Sequence, residues 1–173
     1  MRSSGESAPM DAQLARLPRQ AFARRGVLVV TPQGAGKTTF CKNSPMWTDL
    51  DKVLLSAGLM RREEHSSETT LKRYEKYSEE MKAKGLRVFS SVWWDLTAAD
   101  AVVLPPLDVL EERLRAKTGD EAIKDPAGEA KRQSKLLRTR ARELGLPEYK
   151  SVERAAVAVG WVSAFPWIGA SVQ

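Results

Sequence analysis

Val27–Phe40 reads VLVVTPQGAGKTTF, and the order of residue types in it decides the fold. Four aliphatic residues bounded by Gly26 and Pro32 have the length and β-branched content of a buried strand. They break into a glycine-rich turn, and KTTF then opens a short helix, expected from Lys37 to about Lys42 and stopped before Pro45. A strand, a glycine turn and a helix in that order make a cradle for phosphate. Backbone N–H groups of the turn point inward, and the helix start adds partial positive charge. Gly34 and Gly36 have no Cβ, so the backbone can approach an anion closely. Lys37 brings a mobile charge for β- and γ-phosphates, and Thr38 a hydroxyl for Mg2+.

TPQGAGKT thus resembles the Walker A pattern G-x-x-x-x-G-K-[ST], with Thr31 in place of the first glycine. The nucleotide-binding set read from it is Gln33, Gly34, Ala35, Gly36, Lys37, Thr38 and Thr39, with ATP or another NTP as ligand. A second clue follows closely in WTDLDKVL, a candidate second strand running into a helix. Two-residue spacing sends Asp49 and Asp51 to one face of an extended chain. At the C-terminal end of a parallel strand they meet the ligand crevice. There one carboxylate can hold Mg2+ through water and the other can orient or deprotonate an acceptor hydroxyl. The plainer alternative is that Asp51 caps the helix KVLLSAG.

Outward from these stretches, strand and helix patterns alternate. Helical spacing of Leu71, Tyr74, Ser78 and Met81 before Gly85 predicts a helix over Glu68 to Lys84. LRVFSSVWW and AVVL read as strands and LDVLEERLRAK as a helix, followed by the polar loop TGDEAIKDPAG. A basic amphipathic helix runs from Ala130 to Leu144, and SVERAAVAV begins a last helix capped by Ser151. Such alternation predicts an α/β fold, a parallel sheet with helices on both faces.

The 173 residues suit one domain with tails, and 42% hydrophobic with 29% charged residues is an ordinary globular mixture. Residues 1–25 read as a flexible basic arm, 26–160 as the domain and 161–173 as an apolar tail. The single Cys41 suits a reducing compartment, and the single His65 excludes a Cys/His zinc site, so the expected setting is cytoplasmic. The uncharged stretch from Ala155 to Val172 is weakly hydrophobic and interrupted by Gly160, Pro166 and Gly169, so no membrane association is expected. Net charge is +6, and Lys131, Arg132, Lys135, Arg138, Arg140 and Arg142 equal it within one acid-free segment. That segment is either the wet side of a helix, a phosphate clamp, or a track for nucleic acid.

The order of glycine loop, short helix, DxD, helix, strand, VVLPPLDVLEERLRAK, polar insert and basic helix is similar to the small P-loop kinases. These include shikimate and gluconate kinases, nucleoside and nucleotide kinases, and polynucleotide 5′-hydroxyl kinases. The resemblance covers about Val27 to Val159. It implies a three-layer P-loop NTPase fold with a small lid, about residues 117–130, closing over ATP and Mg2+. It also implies that Asp49 and Thr38 hold the metal, that Asp51 is the acceptor-side base, and that Lys37 holds the phosphates. Arg132 first and Arg138 second would clamp the transferring phosphate, with Lys117 at the lid's start where the family has arginine.

By that resemblance the chain is expected to be an ATP-dependent kinase acting on a small hydroxyl or phosphate acceptor, foremost a nucleoside or nucleotide. Two alternatives stand beside it. One is a polynucleotide 5′-hydroxyl kinase that holds its strand on the helix from Lys131 to Arg142. The other is an NTP-binding, nucleic-acid-associated protein that phosphorylates no acceptor. The strand LRVFSSVWW ends without an acid, since Asp95 lies beyond it, which favours kinases over ATPases that need that carboxylate. Trp93 and Trp94 would either stack on a base near the crevice or fill the core, and Trp47 has the same two readings.

Overall fold

Strand β1 (Val27–Val30) is buried along its whole length, and its alternation divides the core in two. Leu28 and Val30 point to one face of the sheet, Val27 and Val29 to the other. A computed structural model describes residues 7–17, 25–59, 68–91, 96–119 and 122–164. Within them the chain runs α1 (Ser7–Leu14), β1, α2 (Lys37–Asn43), β2 (Thr48–Asp49), α3 (Leu50–Ser56) and α4 (Glu68–Ala83). It continues as β3 (Arg87–Ser90), β4 (Ala101–Val103), α5 (Leu107–Arg115), α6 (Pro126–Leu144), β5 (Glu148–Tyr149) and α7 (Val152–Ala164).

All pairings are parallel, in the order β2-β3-β1-β4-β5. Tyr74, Tyr77 and Met81 of α4, Leu50 and Leu54 of α3, and Leu137 and Ala141 of α6 cover the Leu28/Val30 face. Phe40 and Cys41 of α2 and Val152, Ala155 and Ala156 of α7 cover the other. The result is a three-layer α/β fold. Crossovers leave β1 toward β2 on one side, and β3 toward β4 on the other. The crevice at the C-terminal ends of β1 and β3 is therefore the switch point where ligands bind in open parallel sheets.

Trp47 belongs to the core. It stacks on Phe89 at 4.5 Å between centroids, and Phe40 meets both rings edge-on. Trp93, Trp94, Asp95, His65 and residues 165–173 of the apolar tail lie outside the described residues. No described helix is long and apolar enough to cross a membrane.

Three expectations change. The first 25 residues are not all a flexible arm, because α1 packs on the domain. Met10 and Leu14, four apart and 1% and 7% exposed, enter the cluster that holds Leu50 and Leu54. Lys84 fixes the helix outside through Asp11 at 2.6 Å. Residues 126–130, expected in the lid, are instead the first turn of α6. Asp125 caps it by accepting from Gly128 N–H at 3.0 Å, and Pro126 starts it. The last helix runs on to Ala164, past the boundary expected at residue 160.

Burial at Met10 makes a direct test. Met10→Ala should lower unfolding free energy in urea by about 2–5 kcal/mol. Met46→Ala, at a side chain 47% exposed, should stay within about 0.5 kcal/mol of the parent. Equal effects of the two would mean that α1 does not dock.

Candidate functional site

Between β1 and α2 the chain makes its turn with Gly34 at φ 85° and Gly36 at φ 97°, both left-handed. A side chain at either would be strained. A Cβ at Gly34 would sit 3.2 Å from Leu114 of α5, and one at Gly36 would sit 3.3 Å from the Arg113 guanidinium. Thr31, at the position where Walker A has glycine, continues the β1 direction instead. Its N–H donates to Ser90 O at 2.9 Å, and no described non-glycine residue has positive φ. A side chain is accommodated there because the bend begins only at Gln33.

The loop is held from two sides. Arg113 donates to Ala35 O at 2.8 Å. Gln133 of α6, 1% exposed, accepts from Gln33 N–H at 2.6 Å and donates to Glu129 at 2.5 Å. Glu129 in turn accepts twice from Arg132, at 2.9 and 2.7 Å. The basic helix is thereby tied to the glycine loop through a chain of four side and main-chain groups.

Below the loop four candidate residues converge. Lys37 Nζ donates to Asp51 Oδ2 and lies 3.8 Å from Asp49 Oδ1. Thr38 Oγ1 donates to Asp49 Oδ2 at 2.6 Å. Asp49 Oδ1 also accepts from Asp51 N–H at 3.2 Å, which makes Asp49 the cap of α3. The two carboxylates meet, though not by strand alternation. The chain turns helical at Leu50, and the capping turn brings Asp51 round to Lys37. Capping and convergence therefore coexist, with Asp49 rather than Asp51 as the cap. Ser91, just past β3, donates to Asp51 Oδ2 at 3.2 Å. This serine occupies the strand end where an ATPase acid would stand.

The charges respond unequally. Burial alone would lower the Lys37 pKa, but the carboxylates of Asp51 and Asp49 outweigh it and hold the ammonium above the usual lysine value. Asp49 moves the other way from a simple ion-pair partner. Burial raises its pKa first, Lys37 opposes, and the nearby Asp51 charge adds to the rise. Lys37 thus belongs mainly to Asp51, its closer partner. Burial and the Asp51 charge raise the Tyr74 phenol above its ordinary range. Burial also pushes the Cys41 thiol up to about 12, so that sulfur is a packing group.

A cleft of about 820 Å3 opens over this cluster. Gln33 to Thr39 form its floor, Asp51, Lys52 and Leu55 one wall, and Arg113, Lys117, Lys124 and Arg132 the opposite rim. The seven loop residues, Asp51, Arg132 and Lys117 thus line one cleft. Asp49 joins them from beneath. Arg138 does not. Six residues beyond Arg132, it lies about 240° further round α6 and faces Glu148 at 3.8 Å. Arg113, Gln133, Glu129, Ser91 and Glu153 belong to the site without having been singled out. Arg113 had a signal, its i,i+4 spacing from Lys117 on one helix face. Among the described residues no three His, Cys, Asp or Glu side chains cluster as a ready metal cage.

No protein-family model matches this chain, and no curated protein or solved structure is significantly similar to it.

The buried triad of charges has a pH signature. Lys37→Met leaves Asp49 and Asp51 facing each other without their cation and should cost about 3–5 kcal/mol near pH 8. Without Lys37 only the hydrogen bonds from Thr38 and the Asp51 N–H oppose the burial that raises Asp49 above the usual carboxylate range. A carboxyl with a raised folded-state pKa loses stability as pH rises from its unfolded value through its folded one. The variant's deficit should therefore shrink as pH is lowered from 8 toward 5 in urea titrations run beside the parent. A deficit independent of pH would contradict this charge arrangement.

Proposed function

We propose that this protein is an ATP-dependent phosphotransferase, carrying the γ-phosphate of ATP to a hydroxyl or phosphate acceptor in the cleft, foremost a nucleoside or nucleotide. One observation carries the reading: Lys37, Thr38, Asp49 and Asp51 converge directly beneath a loop bent by two left-handed glycines. A phosphate-sized anion is what such a loop suits, since main-chain N–H groups and a lysine can surround it without steric penalty. The cleft volume of about 820 Å3 lies within the range of small-molecule sites.

Thr38 and Asp49 fit Mg2+ as its protein partners. Their oxygens are hard donors held 2.6 Å apart. A site with few carboxylates is also what Mg2+ uses when phosphates and water complete its shell. When bound, Mg2+ would supply charge neutralisation at the transferring phosphate.

The chain's own residues supply the rest. Lys37 would give its ammonium to the β- and γ-phosphates, exchanging one anionic partner for another. Asp51, released from that pair but still held by Ser91, would then accept the acceptor's hydroxyl proton or orient that hydroxyl. Arg132 and Lys117 on the rim would oppose charge that develops on the transferring group. That Asp51 Oδ2 accepts from both Lys37 and Ser91 supports an order of events in which phosphate first claims the lysine and Asp51 then serves the acceptor.

The test uses purified protein, Mg2+ and γ-labelled ATP, with nucleosides, nucleotides and 5′-hydroxyl oligonucleotides as acceptors. Label should appear on an acceptor. Lys37→Ala and Thr38→Ala should each lower the rate about 100-fold or more, the scale expected when one aligned transition-state donor is lost. Release of label only as inorganic phosphate, or full turnover by Lys37→Ala, would overturn the proposal.

A further inference from the structure

Helix α6 differs from the other exposed helices in how its charge is laid out. On α4, acids and bases alternate, with Lys72 paired to Glu68 at 2.6 Å. On α5, Arg115 is paired to Glu111. These are ordinary solvated faces, where mixed signs cancel locally. The outer face of α6 carries one sign. Lys131, Lys135, Arg138 and Arg142 fall within about 60° of one another at 100° per residue, and they run for about 16 Å at 1.5 Å per residue. Lys131, Lys135 and Arg142 are exposed and have no ion pair among the described residues, while Arg138 has only the loose 3.8 Å approach of Glu148. The acids of α6 are spent elsewhere. Glu129 is turned toward Arg132 and Gln133, and Glu143 toward Arg140.

The row also leads somewhere. Its first member, Lys131, adjoins Arg132 on the cleft rim, and Lys124 on the loop before α6 lines the same cleft. Gln133 fixes this end of the helix to the glycine loop. Positive charge is thus continuous from the cleft mouth down the outside of the domain.

We propose that the outer face of α6 binds the backbone of a single-stranded polynucleotide whose end is directed to the cleft. A row one side chain wide suits one line of phosphates. Four-residue steps along a helix advance about 6 Å, comparable to the spacing of phosphates on an extended strand. The cleft holds about 820 Å3, room for a terminal nucleotide. This surface does not depend on the phosphotransfer reading. Strand binding is carried by α6, and nucleotide chemistry by Lys37.

Fluorescence anisotropy with a labelled 12-nucleotide single strand, repeated from 25 to 300 mM salt, tests it. Four phosphate contacts give a slope of log K against log salt near −3, at about −0.7 per contact. The triple variant Lys131→Gln/Lys135→Gln/Arg142→Gln should lose about 2 units of that slope and bind at least tenfold more weakly at 50 mM salt. Anisotropy is read without ATP or Mg2+, so that failure of this surface and failure of the cleft chemistry register in separate assays. Circular dichroism melts of the triple variant should match the parent, since all three residues are exposed. Unchanged binding by the triple variant, tighter binding of a blunt duplex than of the single strand, or binding to phosphatidylserine vesicles in its place would overturn the proposal.

Discussion

Lys37 and Asp51 form the ion pair around which the rest of the site is arranged. Lysine is almost never so deeply buried without a partner, and here Lys37 is 7% exposed. Its burial needs Asp51, and Asp51 reaches it only because Asp49 caps α3 and turns the chain. Asp49 is in turn placed by β2, which pairs with β3, itself paired with β1. One electrostatic requirement therefore links the glycine loop, the first turn of α3 and three neighbouring strands. A buried pair of this kind is costly to break by removing one partner. In the proposed chemistry an incoming phosphate would replace Asp51 as the partner of Lys37.

That exchange connects structure to the proposed chemistry. With Lys37 on Asp51, the carboxylate that would serve the acceptor is neutralised and the lysine that would serve the donor is occupied. On that proposal both groups would become available together. The links from Gln33 through Gln133 and Glu129 to Arg132 extend the same logic to the rim. A change of loop geometry on filling would be felt by α6, because Gln133 is buried and its amide has no solvent partner to fall back on.

Much of this was legible from residue types. VLVV followed by GAGKTTF reads as a strand, a glycine turn and a helix because each step has its own physical requirement, and the parallel sheet followed from alternation. The convergence of Asp49 and Asp51 was legible as a pairing but not as a geometry, since a capping turn and an extended segment share the DxD spacing. Strand β5 has two residues, too few for any periodicity, and is defined only by pairing with β4. Helix α1 shows one apolar i,i+4 pair, which acquires meaning only when α3 is beside it. Gln133 is uncharged within a basic helix and offers no signal until its partner 100 residues earlier is in contact. Arg138 stood second to Arg132 as a phosphate clamp in sequence, and the angle around α6 turns it toward Glu148 instead of the cleft.

The most direct measurement is the affinity of Asp51→Asn for Mg-ATP, by calorimetry beside the parent protein. If Lys37 is held by Asp51 until phosphate displaces it, removing that carboxylate's charge frees the lysine, and the variant should bind Mg-ATP at least as tightly while transferring no phosphate. Loss of Mg-ATP binding in a variant that remains folded would contradict the account, because Asp51 would then be part of the nucleotide site rather than the partner the nucleotide replaces.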